Sequence, residues 1–513
     1  MNDDLWNKRL VMFLLPLLVL VFYVTASSHF GYSPDDTYIY LQFAKNFIHG
    51  QGISFNAGES TYGFTSPLWM FIIVFFSKSG LDLFVTAKVL DLCLASGALI
   101  VFYLLAYEVI RDIFVALLAT IAFSLNVWFI RWAGTGMETS LSVLLVLLTL
   151  LFCLRNEYLL SIIFSAMLTL VRPESCLLAG FIFYDIYINS NNKRRAVNFV
   201  VSMGSIFVAF LLPWLVYAYR TLGTIVPNTV RAKSGMIFDL QDTVIELWNI
   251  VTILAASDGI AIVVLVVSTV ILFNFFRKND DVGKNAEEKF FVVRQSVAGI
   301  GWIVVLPLLY SFMHVHVVSR YLLLIIPLIS IFAFAFVFRI LLQSKYNRLA
   351  YAGVVLLAGL SIFQNQTVYH MVVKPGIEAF EEGVQSCLIP IGVWLKDHTE
   401  ADDVVMAQDI GVIGYYSERK ICDVGGLASP QMISFIHQGY SFNRLVEEKM
   451  YRSQCNVKYI VHRALEPEEL KYNPGLIPLF TKPFYRLGLM KMQFYYYTVY
   501  KVAEDSLSSN DKQ

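Results

Sequence analysis

The sequence is poor in charge. Lys, Arg, Asp and Glu supply 15% of its 513 residues, against roughly a quarter in soluble domains. The 39 basic and 39 acidic side chains cancel, so no surplus of positive charge points to a nucleic-acid partner, and none is expected. Six cysteines are present without a C-x-x-C pair. Cys93, Cys153 and Cys176 fall in apolar runs and read as small core residues. Cys387, Cys422 and Cys455 lie in a polar C-terminal part, where an odd number allows at most one disulfide and leaves its pairing open. No small-residue cleavage site clearly follows the first apolar run, 10–26, so that run reads as a retained anchor. There is no internal repeat and no low-complexity block.

What the chain does have is apolar surface. Hydrophobic residues make up 57% and aromatic residues 15%, and the mean hydropathy is +0.61. This composition places the chain among membrane proteins. Runs able to cross a hydrocarbon core of roughly 30 Å are expected near 10–28, 83–107, 113–130, 139–154, 158–171, 175–188, 197–219, 250–276, 291–312, 320–342 and 348–364, about eleven spans in all. Residues 67–78 are apolar but short and read as an interfacial helix. With the N-terminus on the cytoplasmic side, compact basic clusters such as Lys8-Arg9, Lys193-Arg194-Arg195 and Arg277-Lys278 fall inside, as positive-inside sorting expects. An odd number of spans then puts the C-terminal part outside. The expected division is a multi-spanning helical domain over 1–369, a soluble α/β domain over 370–505 and a disordered tail over 506–513. In the α/β domain, 378–397 and 429–452 read as helix, and 404–406, 412–415, 458–461 and 494–502 as strands.

The loop 29–67 between the first two spans is long and polar. Ser33 suits an N-cap and Pro34 a first helical residue. Asp35 and Asp36 then fall in a first turn, where the helix dipole favours anions. On these residues alone, an ordinary acidic helix start explains the pair as well as a catalytic site does.

Other polar groups gather on the same side of the predicted topology. Arg131 and Glu138 bracket the segment RWAGTGME. Arg172-Pro173-Glu174 interrupts an apolar run, and its two charges could neutralise each other. Arg231 and Lys233 lie in one loop, while His314, His316 and Arg320 bracket another. Lys88 and Asp91, three apart within a span, read as an intramembrane ion pair. The two histidines alone make a weak metal signal. Singly, each of these reads as a snorkelling or locally paired side chain. Together, carboxylates and cations on one side, against only basic clusters and a short polar linker (277–289) on the other, suit a site at the membrane boundary. Arginines there could hold a lipid phosphate, and a carboxylate could take a proton from an attacking hydroxyl.

The stretch SPDDTYIYLQFAKNFIHGQGISFNAGESTYGFTSPLW resembles the first loop of the polytopic GT-C glycosyltransferases. It is most similar to the mycobacterial-type terminal arabinofuranosyltransferases, with DDAYI followed by a Gly-rich stretch and GYTNPLW. Thr37 stands where that family often has Ala, and Ser66 where it often has Asn. GMET, RPE, VSRYLLLIIP and the later AQDIGVIGYYS…ICDVGGL are also similar. The resemblance implies a transferase in the bacterial inner membrane, its site and C-terminal domain facing the periplasm. It would pass a sugar from a polyprenyl-phosphate donor to a glycan or lipid-linked acceptor. One first-loop acid, Asp35 or Asp36 with Asp35 preferred, would be the base of an inverting displacement. Arg320 and Arg172, with Arg131 or Lys233, would carry the leaving phosphate. Tyr62 and Trp69 would offer stacking surface, and Glu138, Glu174 and His316 would face substrate. A divalent metal is compatible with such chemistry, but no ligand set stands out. Asp409 and Asp423 read as strand-end residues of a domain that helps hold the acceptor. The rival reading is a transporter or flippase of a lipid-linked sugar.

Overall fold

A central helix, Leu83–Ile110, organises the apolar part. Asp82 starts it by accepting hydrogen bonds from the amides of Phe84 and Val85, which satisfies two of the donors every helix start leaves open. Its flanks touch Asn2–Ser27, Ile113–Ser124, Thr139–Leu154 and Ile326–Leu342. The computed structural model describes residues 2–78, 80–233, 239–278, 297–342, 347–488 and 494–503. The expected tail over 506–513 lies outside them, as does nearly all of the polar linker over 277–289.

Among the described residues, four helices are long and apolar enough to cross a membrane by length and composition: Leu83–Ile110, Lys193–Leu222, Leu240–Val267 and Arg348–His398. The first is the most buried and the second the least, so one forms the hub and the other a flank. Shorter apolar helices pack among them, including Tyr158–Thr169 and Val297–Phe312. The run expected over 113–130 breaks at Leu125, and Asn126 caps a short new helix, Val127–Trp132. The run expected over 320–342 is likewise split, into Ser319–Leu322 and Ile326–Leu342. Pro67–Ser77 buries Trp69, Met70, Ile73 and Val74 and exposes Phe71, Phe75 and Phe76.

The last apolar helix does not stop at a domain boundary. Arg348–His398 runs for 51 residues from the apolar part into the C-terminal domain. Two π turns, Tyr369–Val373 and Val384–Leu388, lie just before Pro375 and Pro390. A proline removes an amide donor and crowds the preceding turn, and a π turn absorbs that defect without ending the helix.

The domain beyond is built on one sheet. Its strands are β1 (Val404–Ala407), β2 (Lys420–Asp423), β3 (Tyr459–Ala464), β4 (Leu476–Tyr485) and β5 (Phe494–Val502), in the order β2-β1-β3-β5-β4. β1 is parallel to both of its neighbours, whereas β5 is antiparallel to β3 and β4. The expected strand over 412–415 is instead part of a helix, Ile410–Ser417. Adjacent parallel strands need a crossover of about a dozen residues, and this helix supplies it between β1 and β2. The helix expected over 429–452 is broken into short pieces, with Gly439 and Lys449 at positive φ between them. Cys422 and Cys455 form the disulfide, which leaves Cys387 a buried thiol. Cys153 is buried as expected, but Cys93 and Cys176 are exposed on the chain's surface rather than in its core.

Candidate active site

The first loop folds around the helix Asp35–Ile48. Pro34 occupies its N-cap position, so Ser33 does not cap it. Ser33 Oγ instead donates to the Thr135 carbonyl at 3.1 Å and accepts from Lys88 Nζ at 2.8 Å. Thr37 Oγ1 reaches the same Thr135 carbonyl at 3.0 Å. Lys88 also donates to the Tyr32 carbonyl at 2.7 Å, while Asp91 accepts from the Gly136 amide at 3.0 Å. The expected Lys88–Asp91 pair is therefore spent on two loops: Lys88 fixes the approach to Asp35, and Asp91 fixes the segment 135–136. A buried charge is tolerated when it is so satisfied.

The two adjacent acids have different partners. The carboxylate of Asp35 accepts from the amides of Gly411 and Val412, at 2.8 Å each. These belong to the first turn of the helix Ile410–Ser417, whose open donors and dipole suit an anion. Asp36 Oδ2 accepts from Arg320 Nη2 at 2.5 Å, a charge-assisted bond.

Beyond Asp36 runs a row of cations on aromatic faces. The Arg320 guanidinium lies 5.4 Å from the Trp132 ring and 5.3 Å from the Tyr321 ring. Arg131 sits 4.8 Å from Trp132 and donates to the Tyr32 hydroxyl at 3.2 Å. Arg172 sits 4.8 Å from Tyr321 and pairs with Glu138 at 2.7 Å. Arg172 and Glu174 thus do not serve each other alone, because Glu174 accepts from the Tyr310 hydroxyl at 2.6 Å. A guanidinium over an aromatic face gains cation–π attraction, more so where water is excluded.

Several expected site residues lie elsewhere. Trp69 is fully buried and donates to the Gly136 carbonyl at 3.1 Å. Tyr62 is buried against Trp214, whose Nε1 donates to its hydroxyl at 2.9 Å. Both are scaffold contacts rather than an open stacking surface. His316 is 80% exposed and meets Glu246. Arg231 touches Asn228, and the side chain of Lys233 lies outside the described residues. Among the described residues, no group of three or more His, Cys, Asp or Glu is placed to hold a metal ion.

A cleft of about 220 Å³ joins the acids to the C-terminal domain. Tyr32, Asp35, Asp36, Arg131 and Trp132 form one wall; Phe380, Asp409 and Arg486 contribute from the other side. Asp409 follows β1, as a strand-end residue would, but it also faces the cleft. Arg463 Nη1 donates to its carboxylate at 2.9 Å and the Tyr497 hydroxyl at 2.6 Å. Burial, and next the charge of Asp409, push the Asp35 carboxyl up to about 7; the two amides oppose this, and Asp36 adds slightly to it. No local motif marks Asp409, Gly411 or Arg486 as site residues. The one hint is that AQDIG opens a helix directly after a strand.

Residues 377–502 match a family model described as Domain of unknown function (DUF8728). No curated protein matches the chain. Among solved structures, the fold is similar to ArnT from Cupriavidus metallidurans bound to undecaprenyl phosphate, at 11% identity and a TM-score of 0.54, covering 94% of this chain and 97% of that one. It is also similar to the Archaeoglobus fulgidus oligosaccharyltransferase in its apo form, at 13% identity and a TM-score of 0.54, covering 87% and 69%. By architecture, this chain is a helical membrane protein with a C-terminal sheet domain, and its fold is similar to those of ArnT and the oligosaccharyltransferase.

Proposed function

We propose that the chain is a glycosyltransferase that moves a sugar from a polyprenyl-phosphate donor to a hydroxyl of an envelope glycan or lipid-linked acceptor. The reading places the site and the C-terminal domain on the periplasmic side of a bacterial inner membrane, with about eleven spans. The observation that carries it is the division of labour between adjacent acids: Asp35 sits on backbone amides inside a cleft, and Asp36 sits on the first of a row of stacked arginines. ArnT, the fold relative bound to undecaprenyl phosphate, supports a lipid phosphate as the donor's leaving group.

In the proposed reaction, Asp35 takes the proton of the acceptor hydroxyl, whose oxygen attacks the anomeric carbon. The bond from that carbon to the phosphate oxygen breaks on the opposite face, which inverts the centre. Arg320, Arg131 and Arg172 stabilise the departing phosphate, with Arg320 exchanging part of its hold on Asp36 for the donor. A base near neutrality suits general-base work. Glu138 holds Arg172, and Glu174 acts through Tyr310, so both belong behind the phosphate site. The transporter reading needs intramembrane charges left for cargo, and Lys88 and Asp91 are already committed to the loops.

The test uses purified full-length protein with radiolabelled polyprenyl-phosphoryl pentoses and hexoses and an envelope glycan acceptor. Wild type should form product, and Asp35→Asn should lose at least about a hundredfold of the rate. Product formation by Asp35→Asn at the wild-type rate removes Asp35 as the base. Movement of the lipid across vesicles without any product favours transport.

A further inference from the structure

The C-terminal domain is stitched onto the first loop at several points. The side-chain amide of Asn56 donates from Nδ2 to the Ile421 carbonyl at 3.0 Å and accepts at Oδ1 from the Ile421 amide at 2.9 Å, so one loop side chain satisfies both backbone groups of Ile421 on the edge strand β2. Lys45 and Lys396 both meet Glu418, at 2.7 and 2.8 Å, and Lys420 meets Glu59. The Tyr38 ring lies 5.8 Å from that of Tyr415 and 5.9 Å from that of Tyr416. Asn56 and Glu59 fix β2 against the first loop, Lys45 and Tyr38 tie the helix that carries the two acids to Glu418, Tyr415 and Tyr416, and Lys396 braces Glu418 from within the C-terminal domain.

At the centre of this seam is Gly411. A Cβ placed there would collide with the Asp35 carbonyl oxygen and lie 2.9 Å from its Cγ. Gly411 is not among the glycines at positive φ, so what it supplies is close approach, not a special backbone conformation. That approach lets two amides reach the Asp35 carboxylate together. Asp409 sits two residues earlier, held by Arg463 and Tyr497, and lines the cleft across from Asp35.

We propose that the segment Asp409–Val412 of the C-terminal domain is a positioning element of the transfer site: the Gly411 and Val412 amides aim and hold the Asp35 carboxylate, and Asp409 sets the charge it faces. The inference rests on the reading of Asp35 as base, and it makes the domain a working part of the site rather than an acceptor platform alone. The two devices act in opposite directions. Amides favour the ionised carboxylate, whereas a neighbouring carboxylate disfavours it. The other groups facing Asp35 are Asp36 and Tyr38 on its own helix, with Arg131 and Arg486 on the cleft wall. They are common to every variant below, so differences between variants report the segment alone.

The experiment compares full-length wild type, Gly411→Ala, Asp409→Asn and Asp409→Glu across pH 5 to 9, measuring transfer with the polyprenyl-phosphoryl sugar that wild type accepts. Asp409→Asn should move the acid limb of the rate profile down by about one pH unit. Gly411→Ala should move it up by a similar amount, and Asp409→Glu should keep the wild-type limb. Limbs that coincide in all four proteins overturn the inference, even while an inactive Asp35→Asn preserves the base assignment. An active Asp35→Asn instead removes the base assignment and the inference with it. If no donor supports transfer, the comparison is read from unfolding midpoints across the same pH range, each variant against its own Asp35→Asn double. The midpoint of the Asp35-dependent change should move in the same two directions, and a fixed midpoint overturns the inference. A misfolded Gly411→Ala leaves the Asp409 pair to decide.

Discussion

Replacing Asp35 by asparagine should change the pH dependence of stability in a way set by the carboxyl's surroundings. Burial and Asp409 lift this carboxyl from an ordinary 3.8 to about 7. A carboxyl whose folded pKa exceeds its unfolded one holds its proton more tightly in the folded chain. Its contribution to stability is therefore full below about 4 and is lost as pH rises through about 7. The gap corresponds to at most about 4 kcal/mol, more than half of which falls between pH 5 and pH 8. Asparagine does not titrate, so the variant lacks this loss. It does turn an amide donor toward one of the two backbone N–H groups, at a cost of about 1–3 kcal/mol that does not vary with pH. Asp35→Asn should thus be less stable than wild type at pH 5, and the difference should shrink or reverse by pH 8. Denaturant unfolding of the detergent-solubilised protein, followed by tryptophan fluorescence at each pH, measures both curves. A difference between the two proteins that is constant from pH 5 to pH 8 would show that Asp35 is not a raised carboxyl and would refute the reasoning.

Arg320→Ala should raise the donor KM at least about tenfold, since a charge-assisted bond to phosphate contributes about 1.5–3 kcal/mol. Arg320→Lys should recover only part of this, because a compact ammonium lacks the guanidinium's forked donors; an unchanged donor KM in both variants takes Arg320 out of the phosphate site. Cys455→Ser opens the Cys422–Cys455 bridge, which spans 33 residues, and should cost about 2–4 kcal/mol; reducing agent should lower wild-type stability by the same amount and leave the variant unmoved. Asn56→Ala removes both bonds to Ile421 and should speed amide hydrogen exchange at 420–423 while leaving exchange in β4 and β5 unchanged; equal rates at 420–423 in both proteins would mean that the loop does not hold β2.

What could be read from the sequence was whatever lies close together along it. Asp35-Asp36 is contiguous, and the apolar runs carry their own length, so the acids and the helical architecture were visible. The cation row was visible only as isolated members. Arg172 has Glu174 two residues away, and its partner proved to be Glu138, on a different helix start. Lys88 and Asp91 lie one turn apart, and each proved to serve a different loop. Trp69 had the composition of a stacking surface, but a tryptophan is as useful for filling a core, and only packing separates the two uses. The run at 412–415 is helix rather than the expected strand for a related reason. A short apolar stretch fits either a strand or a buried helix, and what decides it here is the parallel pairing of β1 with β2. That same helix brings Gly411 to Asp35 across 376 positions of chain. A glycine needed for such an approach has no local signature when its backbone angles are ordinary, as they are here. The half of the site that came from the C-terminal domain was therefore the half that local pattern could not supply.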